Sequence, residues 1–245
     1  MEALTVAAKA EAERVIASLP ERVASLDALV TELFPLGSPS AAAAQFKASV
    51  DVASGAPNVA CAAALSRVQD EVAASTTQLA AIARWISLSV PKIEDGGNWG
   101  VQVQDHVLKL IRECIKAQRE VLKQSSDYHE QRATGLQKFV NDTHKESMTS
   151  KSTSTSKGGK EGDEAKEVES VVTKESTKES TPLADSVDHV AALDAKWYFT
   201  AKGWLEDVRD SLAVVCDTVQ KNMDKVSDPK QSSGGGGGAS SMSYY

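Results

Sequence analysis

An apolar stripe near the C-terminal end constrains the fold more than any other feature of this chain. From Val190 to Val226, apolar side chains return mostly at steps of three or four residues, and only Gly203 interrupts the pattern before Pro229. This spacing is typical of a helix with one apolar face. Because a long helix of this kind is stable only when that face is covered, the stripe predicts an all-α protein whose helices pack side by side.

Three earlier stretches carry the same periodicity, and none shows the alternation of a strand. Together with the stripe, they predict four long helices, at about residues 3–34, 58–90, 101–146 and 183–227. Pro20 predicts a kink or a restart in the first of them, and residues 41–50 predict a short additional helix. The expected fold is a single domain, an up-down-up-down four-helix bundle.

Two segments have compositions that do not support packing. Residues 147–181 are rich in Ser, Thr, Lys and Glu and contain no aromatic residue, which predicts a disordered insert. Residues 228–245 include five consecutive glycines and end in two tyrosines, which predicts a flexible C-terminal tail with a binding tip.

Charge, cysteine content and hydropathy limit the kinds of partner, compartment and site that this protein can have. The formal net charge of −7 disfavours a nucleic-acid partner, because phosphate binding needs a basic face. Cys61, Cys114 and Cys216 are isolated from one another, which predicts reduced thiols in a cytoplasmic or nuclear protein. No apolar run approaches the length of a membrane span, and no signal peptide is recognisable. Four histidines lack metal-ligand spacing, so we expect no metal site and no cofactor; they are His106, His129, His144 and His189.

A glycine-rich acidic loop, PKIEDGGNWG, joins the second and third predicted helices. Pro91 predicts the end of the preceding helix. Gly96, Gly97 and Gly100 permit positive φ angles, and we expect Gly100 to need one. Antiparallel helices need only a short connection, so this loop is typical of a binding segment. In an up-down-up-down bundle it lies at the same end as the C-terminal tail, and the insert lies at the other end.

The sequence from Trp85 to Gln104, WISLSVPKIEDGGNWGVQVQ, resembles the activation loop of the 11S proteasome activators, which typically carry PRIEDGNNFGV before a helix that contains a glutamine. Further similarity lies at Leu33-Phe34-Pro35 and from Leu193-Asp194 onward, where Val219-Gln220-Lys221-Asn222 and Lys225 before Pro229 resemble the end of the family's fourth helix. The chain departs from the family pattern at Gly97, where relatives have asparagine, and at Trp99, where they have phenylalanine. It also lacks the Lys/Glu-rich stretch that some relatives carry between the first two helices, and has a comparable stretch between the third and fourth instead.

The resemblance implies a ring, usually of seven subunits, that caps the 20S proteasome and opens its gate without ATP. It implies that C-terminal tails enter pockets between proteasome α subunits, while the activation loops displace the turns that hold the gate shut. In this chain the implied gate-opening loop consists of Lys92, Ile93, Glu94, Asp95, Gly96, Gly97, Asn98, Trp99 and Gly100. The implied proteasome-binding tail ends in Met242, Ser243, Tyr244 and Tyr245.

Two other classes of function compete with this interpretation. The first is a generic oligomeric helical scaffold, in which the loop and the tail have no specific role. The second is a hydrolase that uses Glu94 and Asp95, and it is the weakest, because no nucleophile, base or orienting partner accompanies them. No catalytic residue is therefore expected.

Overall fold

The computed structural model describes residues 1–51, 55–92, 99–148 and 184–230, and within these ranges every regular element is a helix. In chain order they are α1 (Glu2–Leu33), α2 (Pro39–Lys47), α3 (Val59–Leu88), α4 (Trp99–Gln124), α5 (Asp127–Met148), α6 (Ala184–Lys221) and α7 (Met223–Ser227). The long helices α1, α3, α4 and α6 form the predicted all-α bundle. None of the helices in the described ranges combines the length and hydropathy that a membrane span needs.

The N-terminal helices differ from the prediction in detail. Pro20 lies inside α1, which continues without a restart, and the neighbouring Leu19 is completely buried. The burial of that face offsets the hydrogen bond that proline removes. The short helix α2 begins earlier than expected, because the Ser38 hydroxyl caps it by accepting from the Ala41 N–H at 3.2 Å and Pro39 occupies its first turn.

The two C-terminal predicted helices are each interrupted once. After α4, the Ser125 hydroxyl donates to the Leu122 carbonyl at 2.8 Å, and α5 starts two residues later. After α6, the Asn222 amide donates to the Thr218 carbonyl at 2.8 Å, and α7 follows as a separate turn. In both places a short polar side chain satisfies a helix carbonyl at the point where the helix is interrupted. From residue 149, the predicted insert lies outside the described residues, as does the tail from residue 231.

Packing places α3 and α6 at the centre of the bundle. Each of them contacts all three other long helices, whereas α1 and α4 have at most marginal contact with each other. The core between them is large and apolar, and its largest fully buried side chains include Trp85, Leu79, Ile82, Leu205 and Leu212. Helices α1 and α4 therefore lie on opposite sides of the bundle.

A buried ion pair occupies the end of the bundle where α3 and α6 begin. Asp194 of α6 accepts from the Tyr128 hydroxyl at 2.9 Å and from the Arg132 Nε at 3.1 Å. Arg132 also donates to the Gly55 carbonyl at 3.2 Å. Asp194 is 0% exposed and Arg132 3% exposed, so a buried network ties α5 and the segment before α3 to α6.

Candidate functional site

The predicted site residues lie only partly within the described structure. Lys92, Trp99 and Gly100 belong to the described ranges. The rest of the loop (Ile93, Glu94, Asp95, Gly96, Gly97 and Asn98) and the tip of the tail (Met242, Ser243, Tyr244 and Tyr245) lie outside them. The structure therefore describes the two ends of the loop and the residues up to Lys230 at the base of the tail.

The loop leaves the bundle at the end of α3. Ser89 caps this helix, because its N–H donates to the carbonyls of Trp85 and Ile86 and its hydroxyl donates to Trp85 at 2.9 Å. The next residues face outward, with Val90 44% exposed and Lys92 exposed. The last turn of α3 is therefore capped by hydrogen bonds from Ser89, and the exposed residues Val90 and Lys92 follow directly after it.

The loop returns at Gly100, which lies in the first turn of α4. Among the described residues only Gly55 has a positive φ, so the expectation of a positive φ at Gly100 is wrong. The requirement for glycine is spatial. A Cβ at this position would lie 2.1 Å from the carbonyl oxygen of Pro229 and 2.6 Å from its Cα, far closer than atoms can approach. The absence of a side chain at Gly100 therefore lets the backbone that leads into the tail pack directly on α4.

Gln104, one turn further along α4, connects three parts of the chain. Its side chain is 0% exposed, and its Nε2 donates to the Val226 carbonyl at 2.8 Å and to the Ser89 carbonyl at 3.4 Å. Ser89 marks the start of the loop, and Val226 lies in α7 just before the tail. The side-chain amide of Gln104 therefore connects α4 to the end of α3, where the loop starts, and to α7, which precedes the tail. We call Gln104, Ser89 and Val226, together with the Gly100–Pro229 contact, the amide clamp.

The base of the tail is anchored by more than the amide clamp. Val226 is 0% exposed, and its N–H donates to the Asn222 carbonyl at 2.9 Å. Pro229 is buried, whereas Lys230 is exposed. The last residues described before the tail tip, Pro229 and Lys230, therefore lie at the same end of the bundle as both ends of the loop.

Gln104 was not identified as a site residue from the sequence, although it lies within the motif that carries the family resemblance. A signal was available, because Gln104 lies on the same helix face as the fully buried Val107 and Ile111. A polar residue on a buried face needs a hydrogen-bond partner. Its partners lie 15 and 122 residues away, which periodicity does not reveal.

The described residues show neither a grouping of metal ligands nor an ionised thiol. No group of three His, Cys, Asp or Glu side chains within the described ranges is arranged to hold a metal ion. Burial raises the pKa of the Cys61 thiol to about 12 and also raises the pKa of Cys114 and Cys216, so all three are protonated at neutral pH. The geometry suits the presentation of two adjacent segments to a partner.

Comparison with known families and sequences matches this chain to proteasome activators. The family described as "Proteasome activator PA28, C-terminal" matches residues 56–151 and 168–236. Proteasome activator 28 of Dictyostelium discoideum is 38% identical over 56 residues, which cover 23% of this chain and 25% of that protein. Proteasome activator complex subunit 3 of Homo sapiens is 21% identical over 169 residues, which cover 69% of this chain and 52% of that protein. The chain spans about half the length of the human relative and a quarter of the Dictyostelium one.

Solved structures of the same kind share the fold. The 11S subunit of the Plasmodium falciparum proteasome, PA28, superposes with a TM-score of 0.64 at 18% identity and covers 94% of this chain and 92% of that one. The activator in a proteasome–11S activator complex gives a TM-score of 0.64 at 15% identity, with 95% and 97% covered. These TM-scores and coverages show a common fold over nearly the whole chain.

Proposed function

The chain belongs to the proteasome activator PA28 family, and we propose that it is an ATP-independent activator of the 20S proteasome. The observation that carries this proposal is the amide clamp, which brings both ends of the loop and the base of the tail to one end of the bundle. The family match extends to residue 236 and so includes this whole end. A protein that must dock with one segment and act with another needs both on the same face.

The first part of the proposed mechanism is docking by the tail. Residues 231–245 include five consecutive glycines, a composition typical of a flexible tether, followed by Tyr244 and Tyr245. The tyrosine rings bury area against the wall of a pocket between proteasome α subunits. In a ring, proposed here as a homo-heptamer, each further tail binds as an intramolecular partner, so weak contacts add to a stable complex.

The second part is gate opening by the loop from Lys92 to Gly100. A loop that must move a segment of its partner has to hold its own shape, because flexibility would spend binding energy on ordering the loop. Gln104 holds the start of the loop through Ser89, and the contact with Pro229 holds Gly100. The activator then acts through position and contact, without a catalytic site of its own. We place it in the cytoplasm, the nucleus or both.

The test measures hydrolysis of a fluorogenic peptide by purified 20S proteasome, with the oligomeric state recorded by native mass spectrometry. We expect a ring that stimulates hydrolysis. A truncation that lacks Tyr244 and Tyr245 should keep the ring but lose co-sedimentation with the proteasome. The Asn98→Tyr variant should still bind and compete with the wild type, yet stimulate little. An assembled wild-type ring that neither binds nor stimulates the proteasome would favour the scaffold alternative and overturn this proposal.

A further inference from the structure

The first two turns of α1 carry apolar side chains on every side. Residues 1–8 read MEALTVAA, in which Glu2 is the only charged side chain. Leu4 is 52% exposed and Val6 is 64% exposed, and because two residues turn a helix by about 200°, these side chains point to nearly opposite sides. A helical segment that is apolar all round is typical of one that another surface covers. The described part of this chain leaves both side chains uncovered.

The remainder of α1 has the ordinary pattern of a bundle helix. Its inner face buries Ala12 and Ile16, and its outer face carries the exposed charges Lys9, Glu13 and Arg14. Lys9 and Glu13 pair with each other at 3.9 Å, one turn apart on the helix. The change from an apolar to a charged outer face therefore falls at residue 9. We call residues 1–7 the apolar segment.

An ion pair fixes the position of the apolar segment along the bundle. Glu11 pairs with Arg84 of α3 at 3.2 Å, and residues further along α1 pair with earlier residues of α3, so the two helices are antiparallel. Five residues separate Glu11 from Val6, and five separate Arg84 from Ser89. Because every helical residue rises by about 1.5 Å, Val6 lies level with Ser89, and Leu4 lies beyond it. The apolar segment is therefore level with the start of the loop.

Exposed apolar side chains are concentrated at this end of the bundle. Six large ones are exposed within the described ranges, and four of them lie here: Met1, Leu4, Val6 and Val90. The amide clamp holds the start of the loop and the base of the tail at the same end. Interfaces between proteins typically combine an apolar centre with a polar rim. The apolar segment is therefore continuous with the face that we propose to dock.

We propose that the apolar segment of α1 is a third docking element, which packs against an apolar part of the proteasome α-subunit surface beside the loop and the tail. The inference rests on the proposed function and adds a contact surface to it. Because an oligomeric activator repeats this contact in every subunit, a weak contact in each one adds to the overall affinity. The contact excludes water from apolar area and so depends little on salt.

The test places a charge in the apolar segment and measures binding to immobilised 20S proteasome. Leu4→Glu and Val6→Glu should each raise the apparent Kd by about tenfold or more, since the loss is repeated in every subunit. Both side chains are exposed, so the melting temperature and the oligomer seen by native mass spectrometry should not change. Val59→Glu is the matched control, because it adds the same charge at an exposed valine in the first turn of α3, at the opposite end of the bundle. Val6→Leu, which keeps the segment apolar, should bind like the wild type.

Weaker binding by both glutamate variants of the segment, with normal binding by Val59→Glu and Val6→Leu, supports the inference. Equal binding by all variants would overturn it, as would an equal loss in Val59→Glu. Folded variants that no longer assemble would place the segment against a second copy of the chain instead. Normal binding with weaker stimulation of peptide hydrolysis would place it against the loop of its own chain. The proposed function stands in each of these cases, whereas an assembled wild type that neither binds nor stimulates the proteasome would refute that function itself.

Discussion

At the end of the bundle where the loop and the tail start, the principal buried polar side chain is the neutral amide of Gln104, whereas at the opposite end it is the charged pair of Asp194 and Arg132. Gln104 donates to two backbone carbonyls and so positions chain segments. Asp194 accepts from two side chains and so joins α5 to α6. A neutral amide is cheaper to bury than an ion pair, and its loss leaves no charge unpaired. The presenting end is positioned by hydrogen bonds from a neutral amide to backbone carbonyls distant in sequence, and the far end is joined by a buried ion pair.

The largest expected effect comes from breaking the ion pair at the far end. Asp194→Ala leaves the guanidinium of Arg132 buried without its counter-charge, which should destabilise the protein by about 3–5 kcal/mol. Asp194→Asn should lower the free energy of unfolding clearly less, because its amide oxygen can still accept hydrogen bonds from Tyr128 and Arg132. Urea denaturation followed by circular dichroism measures both variants. Equal stability of Asp194→Ala and the wild type would show that the pair is not what holds this end together.

The next effect tests the close contact at the presenting end. Gly100→Ala places a Cβ 2.1 Å from the carbonyl oxygen of Pro229, and because neither backbone can rotate away, α7 and the tail base must shift. We expect the free energy of unfolding to fall by about 1–3 kcal/mol, as is typical of overpacking, and stimulation of the proteasome to be weaker. Gly203→Ala is the matched control, since nothing lies within 4 Å of its added Cβ. That substitution should stabilise α6 by up to about 1 kcal/mol. Similar melting temperatures for the two variants would contradict the close contact.

The amide clamp itself should have a smaller effect on stability. Gln104→Ala removes the hydrogen bonds to Ser89 and Val226, which should lower the free energy of unfolding by about 0.5–1.5 kcal/mol and loosen the segments that they hold. Gln102→Ala, an exposed site on the same helix, is the control. Hydrogen exchange should be faster at residues 89–92 and 222–230 in Gln104→Ala only. Unchanged protection there would show that the clamp does not position the loop and the tail.

Periodicity predicted the parts of this fold that depend on local sequence. Four apolar stripes predict four long helices, because a helix buries every third or fourth residue whatever lies beside it. The breaks at Ser125 and Asn222 were missed, since each depends on a polar side chain that can equally well point to solvent in an uninterrupted helix. Glycine at Gly100 was interpreted as a turn residue, whereas its role depends on Pro229, 129 positions further along the chain. Contacts of this kind follow from packing and leave no local pattern.

The smallest expected effect is a pH dependence that separates the charged end from the neutral one. Burial raises the pKa of Asp194 above its ordinary value, although Arg132 and the Tyr128 hydroxyl act in the opposite direction, and its Oδ2 has no hydrogen-bond partner among the described residues. Burial also keeps the neighbouring Cys61 and Tyr128 neutral by raising the pKa of each. Between the ordinary aspartate pKa and the raised one, the folded protein binds more protons than the unfolded chain. Stability should therefore fall as pH rises through this window.

Asp194→Asn removes that titration and should flatten this part of the stability profile, whereas Gln104→Ala should leave its slope unchanged, because no charge is lost at the presenting end. Urea midpoints measured at closely spaced pH values from about 3.5 to 7 give the slopes for the wild type and both variants. Other carboxylates contribute to all three profiles, so the difference between the wild type and Asp194→Asn is the informative quantity. A wild-type profile that rises relative to Asp194→Asn over this range would mean that Arg132 outweighs burial and that the pKa of Asp194 is lowered.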